Sequence, residues 1–249
     1  MTSEGKSASI IIVGNEILCG RTADTNSHWI ARRFYQMGIC VKSIVTIPDV
    51  EEEIVRAVQS LAPRHDYVVV AGGIGPTPDD VTRQAMATAF ARKLVPDREA
   101  ERAIRERCEG AINEYKLEMA RLPEGSQLIP NLTLAAPGFR LENVFVFPGV
   151  PQLVREMFEQ IVPLLEKCEV YEREIPANLP ESEFAHILYS LADRPGVSVG
   201  SYPTLHDDGR WTVTIVVSGF DSDAVEEVAG QLEAQLGQLQ RSKHIHESS

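Results

Sequence analysis

At 249 residues, 43% of them hydrophobic, the chain can bury a substantial core and has room for one large domain and a small one. A formal net charge of −12 argues against non-specific binding to nucleic acid or to an anionic membrane surface. An anionic ligand must therefore be met by a local device such as a metal ion or a helix terminus. No apolar run approaches the roughly 20 residues of a membrane span, and Met1 to Ser7 holds no apolar signal core. Cys19, Cys40, Cys108 and Cys168 lie far apart with no CxxC, which suggests neither a disulfide framework nor a thiolate zinc site. A reduced, cytoplasmic protein is expected.

In chain order, Ala8 to Val13 is a β-branched run that predicts a strand ended by Gly14. A long loop from Gly14 to Thr25 follows, carrying Asn15, Glu16 and Asp24. Thr25 or Asn26 caps a helix with Ile30, Phe34 and Met37 on one face, ended by Gly38. Cys40 to Ile47 is a second strand, and Pro48-Asp49 leads into a helix with Ile54, Val55, Val58 and Leu61 at helical spacing. Asp66 to Ala71 is the third strand and Thr82 to Phe90 the next helix. Lys93-Leu94-Val95 precedes one long charged helix from about Asp97 to Ala120, then a short apolar Gln127-Leu128-Ile129. Ala136-Pro137-Gly138 reads as a turn and Val144 to Phe147 as a strand. Pro148-Gly149-Val150-Pro151 opens a helix with an apolar stripe from Leu153 to Leu165. From about Val170 the pattern changes to a βαββα layer: a strand from Tyr171, a helix from Glu181, strands from Val197 and Trp211 joined through Asp207-Asp208-Gly209-Arg210, and a helix from Ser222 to about Leu239. Domains are expected at 1–169 and 170–240, with a disordered tail over 241–249.

Strands alternating with helices at this spacing are βαβ units, so the first domain is expected to be a mostly parallel sheet covered by helices on both faces. Ligands of such sheets sit beyond the carboxyl ends of the strands. Those ends carry Asn15 and Glu16, Asp49, and the turn Ala71-Gly72-Gly73-Ile74-Gly75-Pro76-Thr77-Pro78-Asp79-Asp80-Val81-Thr82. Bare glycine amides ahead of a helix N-terminus make a phosphate cradle. Two aspartates in the same turn would repel a phosphate directly, so their use is to hold a divalent cation against it. The turn is neither GxGxxG nor GxxxxGK[ST], which excludes the two commonest nucleotide motifs. Pro148-Gly149-Val150-Pro151 is a second strand–glycine–helix turn that can present amides to the same edge.

Taken together, these blocks resemble the MoaB/Mog molybdopterin-binding fold, in the form found in CinA and in the N-terminal domain of eukaryotic FAD synthase. Val13 to Gly20 resembles GDEIL-x-G, Asp24-Thr25-Asn26 resembles D-T-N, Pro48-Asp49 resembles V-x-D, and GGIGPTPDDVT resembles GGLGPTxDDxT. Leu122 to Gly125, Asn131, Ala136-Pro137-Gly138 and Pro148 to Pro151 resemble the remaining blocks. The likeness covers about the first 170 residues, and the second layer resembles the small KH-like domain that follows in CinA. The deamidase domain of longer CinA proteins and the synthase domain of FAD synthase have no counterpart here. Asn15 stands where the family usually has Asp, Leu134 where it usually has Gly, and Gln152-Leu153 follow the PGVP turn in place of Glu-Met. The second layer shows no GxxG loop, so KH-type RNA binding is unsupported.

The resemblance implies cleavage of a pyrophosphate such as ADP-ribose or FAD, dependent on a divalent metal (Mg, Mn or Co) and sometimes on potassium, with no tightly bound organic cofactor. It equally allows molybdopterin binding or adenylylation. A homo-oligomer is expected. The catalytic candidates are Asp49 and Asp80; the metal candidates are Asp80, Asp79, Asp49 and Glu16. The candidates for binding phosphate or substrate are Gly72, Gly73, Gly75, Pro76, Thr77, Thr82, Asn26, Gly149 and Pro151. Each has a plainer alternative: Asp49 as a helix N-cap, Thr77-Pro78-Asp80 as a capping box, Asn26 as a cap, Glu16 as a solvated loop acid, and Gly149 and Pro151 as packing. Asn15 in place of Asp also keeps open a nucleotide-binding module without chemistry.

Overall fold

Seven consecutive residues, β1 (Ser7–Val13), all buried except Ser7, form the second strand of a six-stranded sheet ordered β2-β1-β3-β8-β7-β6. The computed structural model describes residues 5–107, 112–131 and 137–247. After β1 come α1 (Asn15–Leu18), α2 (Asn26–Tyr35), β2 (Cys40–Ile47), α3 (Glu51–Leu61), β3 (Tyr67–Ala71) and α4 (Thr82–Ala89). Then follow β4 (Leu94–Pro96), α5 (Arg98–Arg107), α6 (Glu114–Glu118), β5 (Arg121–Pro123), β6 (Gln127–Ile129), β7 (Gly138–Leu141), β8 (Val144–Phe147) and α7 (Pro151–Ile161). The pairs β1–β2, β1–β3 and β3–β8 are parallel, while β7 and β6 extend the sheet antiparallel.

β1, β3 and β8 read as apolar runs because both faces of the sheet are covered there, while the edge strand β2 alternates in exposure. Ile10 and Ile12 of β1, with Val69 of β3, point into a layer shared with Ile30 and Phe34 of α2 and Leu153, Met157 and Phe158 of α7. Ile11 and Val13, with Val68 and Val70, point the other way onto Ile54 and Val58 of α3, Ala85 and Met86 of α4, and Ile104 of α5. The period of two along each strand thus sorts its residues between two cores, giving the expected helix–sheet–helix architecture.

Contacts divide the chain into Lys6–Lys167 and a second unit carrying Cys168–Ser249. The second unit holds β9 (Tyr171–Ala177), α8 (Glu181–Leu191), β10 (Val197–Leu205), β11 (Trp211–Gly219) and α9 (Ser222–Glu247). Its antiparallel sheet, ordered β10-β11-β9, packs Ile215 and Val217 against Phe184 of α8 and Val228 and Leu232 of α9. This is the expected βαββα order. The last helix runs on through residues 241–247, where a disordered tail is expected from sequence. No helix among the described residues is long and apolar enough to cross a membrane.

Three local expectations are corrected. The single helix over 97–120 is divided into α5 and α6, because Asn113 accepts the Lys116 N–H at 2.9 Å and caps a new helix. Cys108 falls outside the described residues, as do Leu134 and Ala136 of the resemblance. The 14–25 loop contains the short α1. Finally, β7 pairs with β8 as a hairpin through Glu142-Asn143, with Glu142 at φ +54°.

At the opposite edge from the strand ends that carry the candidate site, Asp66 ties β1 to β3. Its Oδ2 accepts the Ser7 N–H and Oγ–H, both at 2.8 Å, and Lys6 Nζ lies 3.2 Å from Oδ1. The Ser7 amide is the chief cause that holds the Asp66 carboxyl below its usual value of 3.8. A depressed native pKa contributes stability that is present above the unfolded value and is lost as pH falls through the folded one. Unfolding free energy measured from pH 5 down to the onset of acid unfolding should therefore fall below about pH 3.8 more steeply in the wild type than in Asp66→Asn. Equal slopes would show that Asp66 contributes nothing to acid sensitivity.

Candidate functional site

The chain crosses from β1 to β2 under α2 on one face, and from β3 onward through α4 on the other. The switch point of this doubly wound sheet therefore lies between β1 and β3, where a crevice opens at the carboxyl ends. Gly72, the first residue after β3, sits in this crevice at φ +117°, and a Cβ there would lie 2.1 Å from the Val13 carbonyl oxygen. Only glycine permits so close an approach of the two chain segments.

The neighbouring loops are joined to this point one after another. Asp49, beyond β2, accepts the Asn15 N–H on Oδ2 at 2.7 Å, tying the end of β2 to the loop after β1. Glu16 folds its carboxylate back over Gly14, so that a Cβ on Gly14 would meet Oε1 at 2.6 Å. On the other side Gly149, beyond β8, abuts Gly72, with 3.6 Å from its would-be Cβ to the Gly72 Cα. Asn26, at the start of α2, donates from Nδ2 to the Gly149 carbonyl at 2.8 Å. The loops carrying Asp49, Glu16, the glycine turn, Gly149 and Asn26 thus line one edge as a connected series.

Within the glycine turn, four successive carbonyls are bound by the first two residues of α4. Thr82 donates from Oγ1 to the Gly72 oxygen and from its N–H to the Gly73 oxygen, both at 2.9 Å. Arg83 donates from its two terminal nitrogens, Nη1 to the Ile74 oxygen and Nη2 to the Gly75 oxygen, the latter at 3.0 Å. In a planar trans peptide the C=O and the following N–H point in opposite directions. The N–H groups of Gly73, Ile74 and Gly75 consequently face away from α4, and none has a hydrogen-bond partner among the described residues. Three such amides in a row make a candidate anion cradle, in which Gly73 and Gly75 are half-buried and Ile74 is only 2% exposed.

Several expected roles change. The Gly72 N–H donates to the Phe147 carbonyl at 3.0 Å and is not part of the cradle. Thr82 is fully buried and holds the turn from beneath, out of reach of a phosphate. Thr77, on the exposed tip with Pro76 and Asp79, donates its N–H at 2.9 Å and its Oγ–H to Asp80 Oδ2. Helix α4 begins only at Thr82, so Thr77 and Asp80 form a local turn and not a capping box. Asp49 caps nothing either: Val50 occupies the N-cap of α3 without a side-chain bond. Asp24 accepts the N–H groups of Asn26 and Ser27 at 3.0 Å each, which leaves the Asn26 amide for Gly149. Pro151 is the first residue of α7 and has no N–H to offer.

Asp49 and Asp80 each commit Oδ2 to neighbouring donors, and their Oδ1 atoms receive no hydrogen bond among the described residues. Among the described residues no three His, Cys, Asp or Glu side chains gather closely enough to hold a metal ion by themselves. Arg83 is the site residue that sequence reasoning missed. Burial pushes its guanidinium below the ordinary value while Asp80 and Glu118 draw it back up, and an arginine so held stays cationic.

The first unit is a doubly wound α/β domain with a glycine turn and acidic loops at its switch point. Residues 9–167 match the family model described as "Probable molybdopterin binding domain", and residues 169–243 match "FAD synthase, middle domain". The chain belongs to the molybdopterin-binding domain family. A protein of Archaeoglobus fulgidus is 37% identical over 228 residues, covering 91% of this chain and 96% of that one. A probable FAD synthase of Caenorhabditis briggsae is 32% identical over 80% of this chain and 44% of its own length. Among solved structures, the protein CinA of Thermoplasma acidophilum aligns with a TM-score of 0.60 and 32% identity, over 64% of this chain and 97% of that one.

Proposed function

We propose that the chain is a nucleotide pyrophosphatase that hydrolyses ADP-ribose or FAD to AMP plus ribose 5-phosphate or FMN. The observation that carries this reading is the row of three partnerless amides beside the Asp80 carboxylate, whose Oδ1 receives no hydrogen bond among the described residues. The amides of Gly73, Ile74 and Gly75 hold the bridging diphosphate, and Asn26 keeps the Gly149 turn against the same edge. One water adds to one phosphorus, the P–O–P bridge breaks, and the bridging oxygen leaves with the other phosphate.

Asp80 and Asp49 would hold Mg²⁺, Mn²⁺ or Co²⁺; Glu16 and Asp79 do not gather with them into a closed ligand set among the described residues. When bound, such an ion neutralises charge on the phosphoryl oxygens and acidifies a water. A hard cation of this kind takes one or two carboxylates and completes its shell with phosphate and water. Asn15 contributes its main-chain N–H to Asp49, a role indifferent to the side chain that replaces the family's usual Asp.

Purified protein supplied with ADP-ribose or FAD and each of these metals is expected to release AMP. No AMP in any combination would falsify the reading. The family description favours a second occupant, a pterin, in the same crevice. Tight binding of molybdopterin without AMP release would select it.

A further inference from the structure

We propose that Arg83 is the positioning residue of the anion cradle: its planar fork holds the Ile74 and Gly75 carbonyls inward and so aims the Gly75 N–H at the ligand. This rests on the reading of the glycine turn as a diphosphate site.

Arg83 is only 8% exposed, unusual for an arginine, and makes no close ion pair among the described residues. Its two terminal nitrogens bind two consecutive main-chain oxygens. A guanidinium presents two donors in a fixed plane at that spacing, whereas a lysine ammonium is a single point donor. Asp80, which shares the turn, lies close enough for its charge to bear on Arg83. The cation therefore sits behind the turn that carries Asp79 and Asp80, and offsets acids that would otherwise oppose a diphosphate. Thr82 already fixes the Gly72 and Gly73 carbonyls, and hence the Gly73 and Ile74 amides. Arg83 completes the set: the peptide between Ile74 and Gly75 is the last one with an N–H, because Pro76 follows.

The test compares wild type, Arg83→Lys and Arg83→Met by two measurements. The first is hydrogen exchange of the peptide spanning Gly72 to Thr82, without ligand. The second is the affinity for inorganic pyrophosphate with Mg²⁺. Arg83→Met is expected to speed exchange and to weaken binding by about tenfold or more each, the scale of one lost charged hydrogen bond. Arg83→Lys, which keeps the charge and one contact, should fall between them while retaining a cooperative melt. If Arg83→Lys, or Arg83→Met where it folds, matches wild type in exchange, or in pyrophosphate affinity where wild type binds, the proposal is overturned. A wild type that binds no pyrophosphate counts against the proposed function instead, and the exchange arm then decides the role of Arg83.

Discussion

Gly72→Ala should lower the unfolding free energy by about 3 kcal/mol or more, since it adds strain of the order of 1–3 kcal/mol at a positive φ to a main-chain clash that only movement of β1 against β3 can relieve. The would-be Cβ lies 2.1 Å from the Val13 carbonyl oxygen, and that atom belongs to the last residue of β1, which is held between β2 and β3. Gly125 provides the control: it also has a positive φ, +85°, but nothing lies within 4 Å of its would-be Cβ. Gly125→Ala should cost about 1–2 kcal/mol, the left-handed penalty alone. Urea unfolding of both variants separates the two contributions. A Gly72→Ala protein no less stable than Gly125→Ala would show that the ends of β1 and β3 are not in the close contact described.

Asp80→Asn is expected to leave the fold nearly intact and remove most of the chemistry. The amide oxygen of Asn still accepts the Thr77 N–H, so the loss of stability should stay near 1 kcal/mol, one hydrogen bond weakened by losing its charge. Turnover of ADP-ribose or FAD should fall by about 100-fold or more, at or beyond the upper end of what supporting groups of a metal site contribute. Raising the metal concentration should recover part of the activity. Turnover within about threefold of wild type would remove Asp80 from the proposed machinery.

The strands and most helices were legible because burial on both faces leaves unbroken apolar runs such as Ile10 to Val13 and Tyr67 to Val70. The convergence of loops followed from the parallel order alone. What sequence could not separate was the partner of each polar side chain near a helix start. An acid such as Asp49 has the same local pattern whether it caps its own helix or, as found, binds Asn15 at a distance of 34 residues along the chain. Asn26 likewise looked like a cap, yet its partner is Gly149, 123 residues away. The β7–β8 hairpin was missed because Glu142-Asn143 lacks the glycine that usually marks a two-residue turn. Arg83 gave one usable signal, a charge beside the buried Ala85 and Met86 at the start of a short helix.

The central claim is tested most directly by a crystal structure of the protein with Mn²⁺ and a non-hydrolysable α,β-methylene analogue of ADP-ribose. The account predicts anomalous density at the free oxygens of Asp80 and Asp49, and diphosphate oxygens on the amides of Gly73, Ile74 and Gly75. A ligand bound elsewhere, or a diphosphate in the crevice that leaves those amides unused, would contradict it.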